Sequence, residues 1–155
     1  MKLDQLAETP VGQIHTRSAV MVEPSMTTFD VIKAMRAGSC GAALVTDSDG
    51  RLSGIFSERD VLLKVGQDNA QMDRPVSELM TTDPKTTATT ATVSAALKAM
   101  RDGDFRHLPI VDADGAPTGI ISVRDILTWV ADHFPQQILN LPPRPRRGNT
   151  GMYGG

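Results

Sequence analysis

The sequence predicts a mixed α/β fold in which two tandem β-α-β-β-α units pack about a pseudo-twofold axis. Three observations lead there. A seven-residue stretch, GIFSERD at 54–60, recurs as GIISVRD at 119–125. The same offset of 65 positions relates Pro10-Val11 to Pro75-Val76 and then holds without a gap to the end of the second copy, which chance does not produce. Finally, a unit of about 60 residues buries too little surface to be comfortable alone, so two units sharing one core are expected in a chain of 155 residues.

The repeats divide the chain into an N-terminal segment (1–9), a first unit (10–66), a linker (67–74), a second unit (75–131) and an extension with a flexible tail (132–155). Each unit opens on a short apolar stretch, Val11 and Ile14 or Val76, Leu79 and Met80, followed by a brief strand near 19–22 in the first unit. An amphipathic helix comes next. Val93, Ala96, Leu97 and Met100 fall at i, i+3, i+4 and i+7, and Val31, Ile32 and Met35 repeat the later positions, so both stripes read as core. Gly38 and Gly103 stand where these helices should stop. Two strands follow in each unit, at 42–46 with 52–56 and at 108–111 with 118–121.

The strands are joined through Asp47-Ser48-Asp49-Gly50 and Asp112-Ala113-Asp114-Gly115. These segments resemble the start of a calcium loop, but the later ligand positions hold Arg51 and Ala116 and the closing Glu is missing. They read as hairpin turns, with Gly at positive φ and Asp bonding its own backbone.

The recurring heptad carries the chemistry. Two apolar residues run into Ser-x-Arg-Asp, and an apolar helical run follows (Val61, Leu62, Val65; Ile126, Leu127, Val130). The mouth of a helix exposes unpaired N–H groups and the positive pole of the dipole, which suits an anion. Arg59 and Arg124 offer charge-assisted bonds to a phosphate; Asp60 and Asp125 can accept from the paired hydroxyls of a ribose. The same spacing also fits a capping box, in which Ser57 with Asp60, and Ser122 with Asp125, do no more than satisfy a helix end. One pair of residues can serve both ends.

Composition narrows the classes. Hydrophobic content of 40% and charged content of 22% describe an ordinary globule, and a net charge of −2 argues against a dedicated nucleic-acid binder. A single cysteine, Cys40, excludes an internal disulfide framework and a thiolate metal cluster. No apolar run approaches a membrane span, and the opening MKLDQLAETP is too polar for a signal peptide, so a cytoplasmic location is expected. His15, His107 and His133 occur in unrelated contexts, no nucleophile–base set is visible and no Walker-type phosphate loop is present; the chain does not read as an enzyme, and no metal is required. From Pro142 the composition is that of a solvated tail, where Arg144, Arg146 and Arg147 give only a weak nucleic-acid signal.

With RHLPIVDADG and GIISVRD in the second copy and GIFSERD in the first, the chain resembles the CBS-domain family over residues 10–131, and a pair of such repeats is a Bateman module. It looks like the stand-alone prokaryotic CBS-pair proteins. The resemblance implies adenine nucleotides (AMP, ADP or ATP, with NAD(H) as a further option) bound between the repeats, a homodimer, and signalling to a protein effector. It places phosphate and ribose contacts on Ser57 and Asp60 and on Ser122 and Asp125, and a basic wall on Arg106 with His107 beside it. The segments walling the adenine would fall on 16–21, with Thr16, Ser18, Val20 and Met21, and on 81–86, with Thr81 and Lys85. Asp125 would share a cleft with the first segment and Asp60 with the second. Because the first unit has Gly41-Ala42 where the second has Arg106-His107, the clefts should be unequal, with the Asp125 cleft the tighter. Two other readings stay open: a protein-interaction scaffold with vestigial clefts, and, with only the tail in its favour, a nucleic-acid binder.

Overall fold

The computed structural model describes residues 3–14 and 18–134; Thr16 and the tail from Pro135 onward lie outside the described residues. The elements are α1 (Leu3–Ala7), β1 (Val20–Val22), α2 (Thr28–Ala37), β2 (Ala42–Thr46), β3 (Leu52–Ser57), α3 (Glu58–Asp60), β4 (Thr81–Thr82), α4 (Val93–Gly103), β5 (His107–Val111), β6 (Pro117–Ser122) and α5 (Val123–His133). The architecture is the expected mixed α/β pair of repeats. β1 runs parallel to β2, β2 antiparallel to β3 and β3 antiparallel to β4, forming one sheet in that order. β5 and β6 form a second, antiparallel sheet.

Local chemistry explains the elements. Thr27 and Thr92 cap α2 and α4 by accepting from the N–H groups of Asp30 (3.2 Å) and Ala95 (3.1 Å). Val31 and Met35 on α2, and Val93, Ala96 and Met100 on α4, are buried, whereas Leu97 is 37% exposed and only borders the core. The hairpins turn as expected: Gly50 and Gly115 sit at φ of 77° and 83°, and Asp47 and Asp112 each accept two backbone N–H bonds within the turn. The helix stops differ from expectation. Gly38 is right-handed at φ −84°, and Ser39 and Asp104, at φ of 50° and 53°, take the left-handed position instead. Gly103 is there for room, because a Cβ would run into the Phe105 ring.

The first strand of the second unit is also shorter than its counterpart. Val20–Val22 corresponds to 85–87, where Lys85 and Thr86 replace two apolar residues. Only Thr87 keeps the parallel pairing, as a single bridge to Ile110. On the other side, α3 opens after its first turn into a π-turn over Val61–Val65, closed by the Gly66 N–H on Val61 O at 2.9 Å. α5, its counterpart, stays regular to His133.

The opening segments are exchanged between the units. The Val11 N–H donates to Ala91 O (2.7 Å), and its repeat partner, the Val76 N–H, donates to Met26 O (2.9 Å). Val11 and Ile14 are buried with Val93, Met100, Leu108, Trp129 and Phe134, so residues that precede the first unit's sheet complete the second unit's core. Reciprocally, Val76 and Leu79 fill the core of Val31, Met35, Val45 and Phe56. A third cluster, Ala42, Leu44 and Ile55 against Ile120, joins the two sheets.

Candidate functional site

The exchange brings the site together. Leaving the first unit's core after Leu79 and Met80, the chain forms β4, whose Thr81 and Thr82 pair with Ile55 and Gly54 of β3. Running antiparallel to β3, the chain reaches Ser53, whose carbonyl accepts from the Asp83 N–H (3.2 Å), and turns at Asp83 (φ 51°); Thr81, Asp83, Pro84 and Lys85 then line the same cleft as Ser57 and Asp60.

Ser57 caps α3. Its N–H donates to Asp60 Oδ2 (2.9 Å), its hydroxyl donates to the same oxygen (3.2 Å), and the Asp60 N–H returns to Ser57 Oγ (3.4 Å). Ser122 and Asp125 repeat the arrangement at 2.8, 2.9 and 3.1 Å. The capping box is therefore present twice. At the first mouth Lys64, one turn on, bridges Asp60 Oδ1 (3.0 Å) and Leu79 O (2.7 Å), fastening the carboxylate to the exchanged segment. A carboxylate has about four acceptor sites. Ser57 and Lys64 engage three, which leaves one direction on Oδ1 for a hydroxyl.

Beside this mouth lies a cleft of about 590 Å³, within the range of small-molecule sites. Ser57, Arg59 and Asp60 form one wall, Thr81 and Lys85 the second, and Arg106 and His107 the third. Ile55, Leu62 and Phe105 supply apolar surface. Arg59 spans the gap between the units: its Nη1 donates to Asp104 O at 2.6 Å and lies 3.5 Å from the Asp104 carboxylate. Four carboxylates, Glu58, Asp60, Asp83 and Asp104, face three cations, Arg59, Lys85 and Arg106. Burial pushes the His107 imidazole below its ordinary range, against the pull of Glu58 and Asp125, and Arg106 pushes in the same direction as burial.

The basic pair, which the sequence reading placed with Asp125, thus lines the cleft of Asp60 as well as adjoining Ser122 in the sheet. Ser122, Arg124 and Asp125 gather at the second mouth, but Thr16, which begins the segment expected opposite them, is outside the described residues. Ser18 is exposed, Met21 is 50% exposed, and Val20 packs on the first unit's core. Sequence reasoning missed Lys64, whose i,i+4 spacing from Asp60 was a readable signal. It also missed Asp104 and Phe105, which reach the cleft only through the left-handed turn after α4 and leave no local signature. Among the described residues there is no group of three or more His, Cys, Asp or Glu placed to hold a metal ion, and no helix long and apolar enough to cross a membrane.

Comparison with known proteins agrees with this architecture. The family model "CBS domain" matches residues 11–66 and 76–132. The chain is 36% identical over 129 residues to an uncharacterised 17.7 kDa protein of Acidianus ambivalens, covering 83% of this chain and 77% of that one. Other relatives are much longer, and the chain spans 20% of them. The crystal structure of a CBS-domain containing protein from Agrobacterium tumefaciens is 32% identical with a TM-score of 0.70, covering 77% of this chain and 97% of that one. A CBS domain protein from Pyrobaculum aerophilum, solved complexed with AMP, is 28% identical with a TM-score of 0.69, covering 79% of this chain and 98% of that one. Matched in both repeats and in their fold, the chain belongs to the CBS-domain family, as a tandem pair of its repeats.

Proposed function

We propose that the chain binds an adenine nucleotide in the Asp60 cleft, in the cytosol, and reports its occupancy to a protein partner without chemistry. One observation carries the reading. Ser57 and Asp60 of one repeat face Thr81 and Lys85 of the other across a cavity large enough for a purine and its sugar. The remaining acceptor direction on Asp60 suits a ribose hydroxyl; Arg106, beside His107, suits a phosphate, with Arg59 and Lys85 as further cations along the cleft; Leu62 and Phe105 give a base an apolar wall. Because four carboxylates border the cleft, a nucleotide of low charge is favoured, and AMP is the first ligand to test. That a relative was solved complexed with AMP supports the choice. On this reading AMP should be recovered unchanged after binding.

A homodimer goes with this reading. Leu62 and Leu127, equivalent under the repeat, are 77% and 63% exposed, and Leu63 is 76% exposed. Such a patch on the second helix of each unit suits a second copy of the chain.

Titration calorimetry and thermal shift with AMP, ATP, NADH and S-adenosylmethionine test the proposal. A ligand at 100 times its dissociation constant should add about 2.7 kcal/mol of stability. Asp60→Asn should weaken AMP by roughly tenfold or more, since a hydrogen bond to a charged group is worth about 1.5–3 kcal/mol. The same change at Asp125 should weaken it less. A chain whose melting temperature moves with none of the four is a scaffold rather than a sensor.

A further inference from the structure

We propose that His107 makes nucleotide binding in the Asp60 cleft proton-linked, its imidazole taking up a proton when a phosphate-bearing ligand arrives. This regulation rests on the reading above, because it needs that cleft to be the occupied one.

The argument begins with position. His107 opens β5 and lies opposite Ser122 in the β5–β6 register, so it stands at the second helix mouth. Its ring nonetheless reaches the first mouth. A Cβ built on Gly41 would lie 2.9 Å from His107 Nε2 and 3.6 Å from Glu58 Oε2. Gly41 is thus the residue whose missing side chain admits the ring. The Glu58 N–H donates to Gly41 O (3.0 Å), fixing this spot to the start of α3. One imidazole therefore borders both capping boxes. The position equivalent to His107 in the first unit is Ala42, which cannot titrate.

The charged groups facing the ring are Glu58 from α3, Asp125 from α5 and Arg106 beside it on the chain. Farther along the cleft stand the cations Arg59 and Lys85 and the anions Asp60 and Asp83. Burial and Arg106 together outweigh the two carboxylates and hold the imidazole below its ordinary range. A phosphate bound in the cleft adds a third anionic neighbour and pairs with Arg106, removing part of that cation's repulsion. Both changes favour the imidazolium. By linkage, a ligand that raises the imidazole's proton affinity binds more tightly as pH falls through the imidazole range.

Calorimetry of AMP with the full chain, in buffers of different ionisation enthalpy, reads the proton directly. The wild-type heat should depend on the buffer as uptake of a fraction of a proton at about pH 7, and affinity should improve several-fold from about pH 8 to about pH 6.5. For His107→Gln, titrated at AMP concentrations high enough to saturate it whatever its affinity, the excess buffer dependence should be gone and the pH profile flatter. Protonation of AMP's own phosphate is common to both proteins and cancels in the comparison. In the wild type, the His107 ring resonance followed by NMR should titrate at higher pH with AMP present than without it. Equal proton uptake by both proteins, or an unmoved ring titration, overturns the inference and leaves nucleotide binding standing. Failure of AMP to bind at either pH overturns both.

Discussion

Val11→Ala tests the exchange of opening segments on which the cleft depends. Val11 is fully buried and belongs by sequence to the first repeat, yet its neighbours Val93, Met100 and Leu108 belong to the second, and Phe134 to the chain that follows it. Removing the two methyl groups loses about 1.6 kcal/mol of transfer free energy, and the cavity left in a packed core raises the total to about 2–3 kcal/mol. For a domain of this size that corresponds to a fall of about 6–12 °C in melting temperature. The informative assay is a pair of double-mutant cycles read by denaturant unfolding. Val11→Ala should couple to Val93→Ala by about 0.5 kcal/mol or more, and should add to Val31→Ala within about 0.5 kcal/mol. Coupling to Val31 with additivity to Val93 would refute the exchange. The second repeat's segment would then have no reason to pass the first helix mouth, and the site would lose its second wall.

Two further outcomes follow from the packing. Gly103→Ala improves intrinsic helix propensity by about 1 kcal/mol, but its Cβ meets the Phe105 ring; a net loss of about 1–3 kcal/mol is expected in thermal unfolding, and a gain would show that the ring swings aside freely. Leu63→Ser with Leu127→Ser, both at exposed positions, should shift the proposed dimer to monomer in sedimentation experiments with little change in monomer fold; a wild-type chain that sediments as a monomer refutes the dimer, and a dimer unaltered by the changes places its interface elsewhere.

Much of this fold is legible because the repeat reports each element twice. The strands at 42–46 and 52–56, the aspartate-bonded turns and the helix mouths are local: alternation, Gly at positive φ and Ser-x-x-Asp spacing each act within a few residues. What escaped is non-local. Pro10-Val11 and Pro75-Val76 carry the same signal, so nothing in either says which unit's core receives it. The helix stops misled for a related reason. Gly38 and Gly103 sit next to the left-handed residues, but their role is to admit Val20 and Phe105, contacts made by chain that periodicity does not see. The sequence does not show that Arg106 and His107, which adjoin Ser122 in the sheet, also line the cleft of Asp60.

The capping box recurs at both helix mouths, while side chains at several equivalent positions around it differ. Lys64 corresponds to Trp129, Lys85 to Val20, Asp104 to Ser39, Arg106 to Gly41 and His107 to Ala42. In every pair the charged or titratable member serves the Asp60 side, and three of the counterparts lie in or against a core: Trp129, Ala42 and Val20. Burial of those apolar residues stabilises the fold, while the polar set gains nothing from packing and stays at the cleft. A capping box needs only Ser and Asp, which both mouths have. The extra cations around Asp60, faced by nearby carboxylates, exceed what capping a three-residue helix turn requires. The anionic ligand proposed at that mouth would give those cations a counterpart.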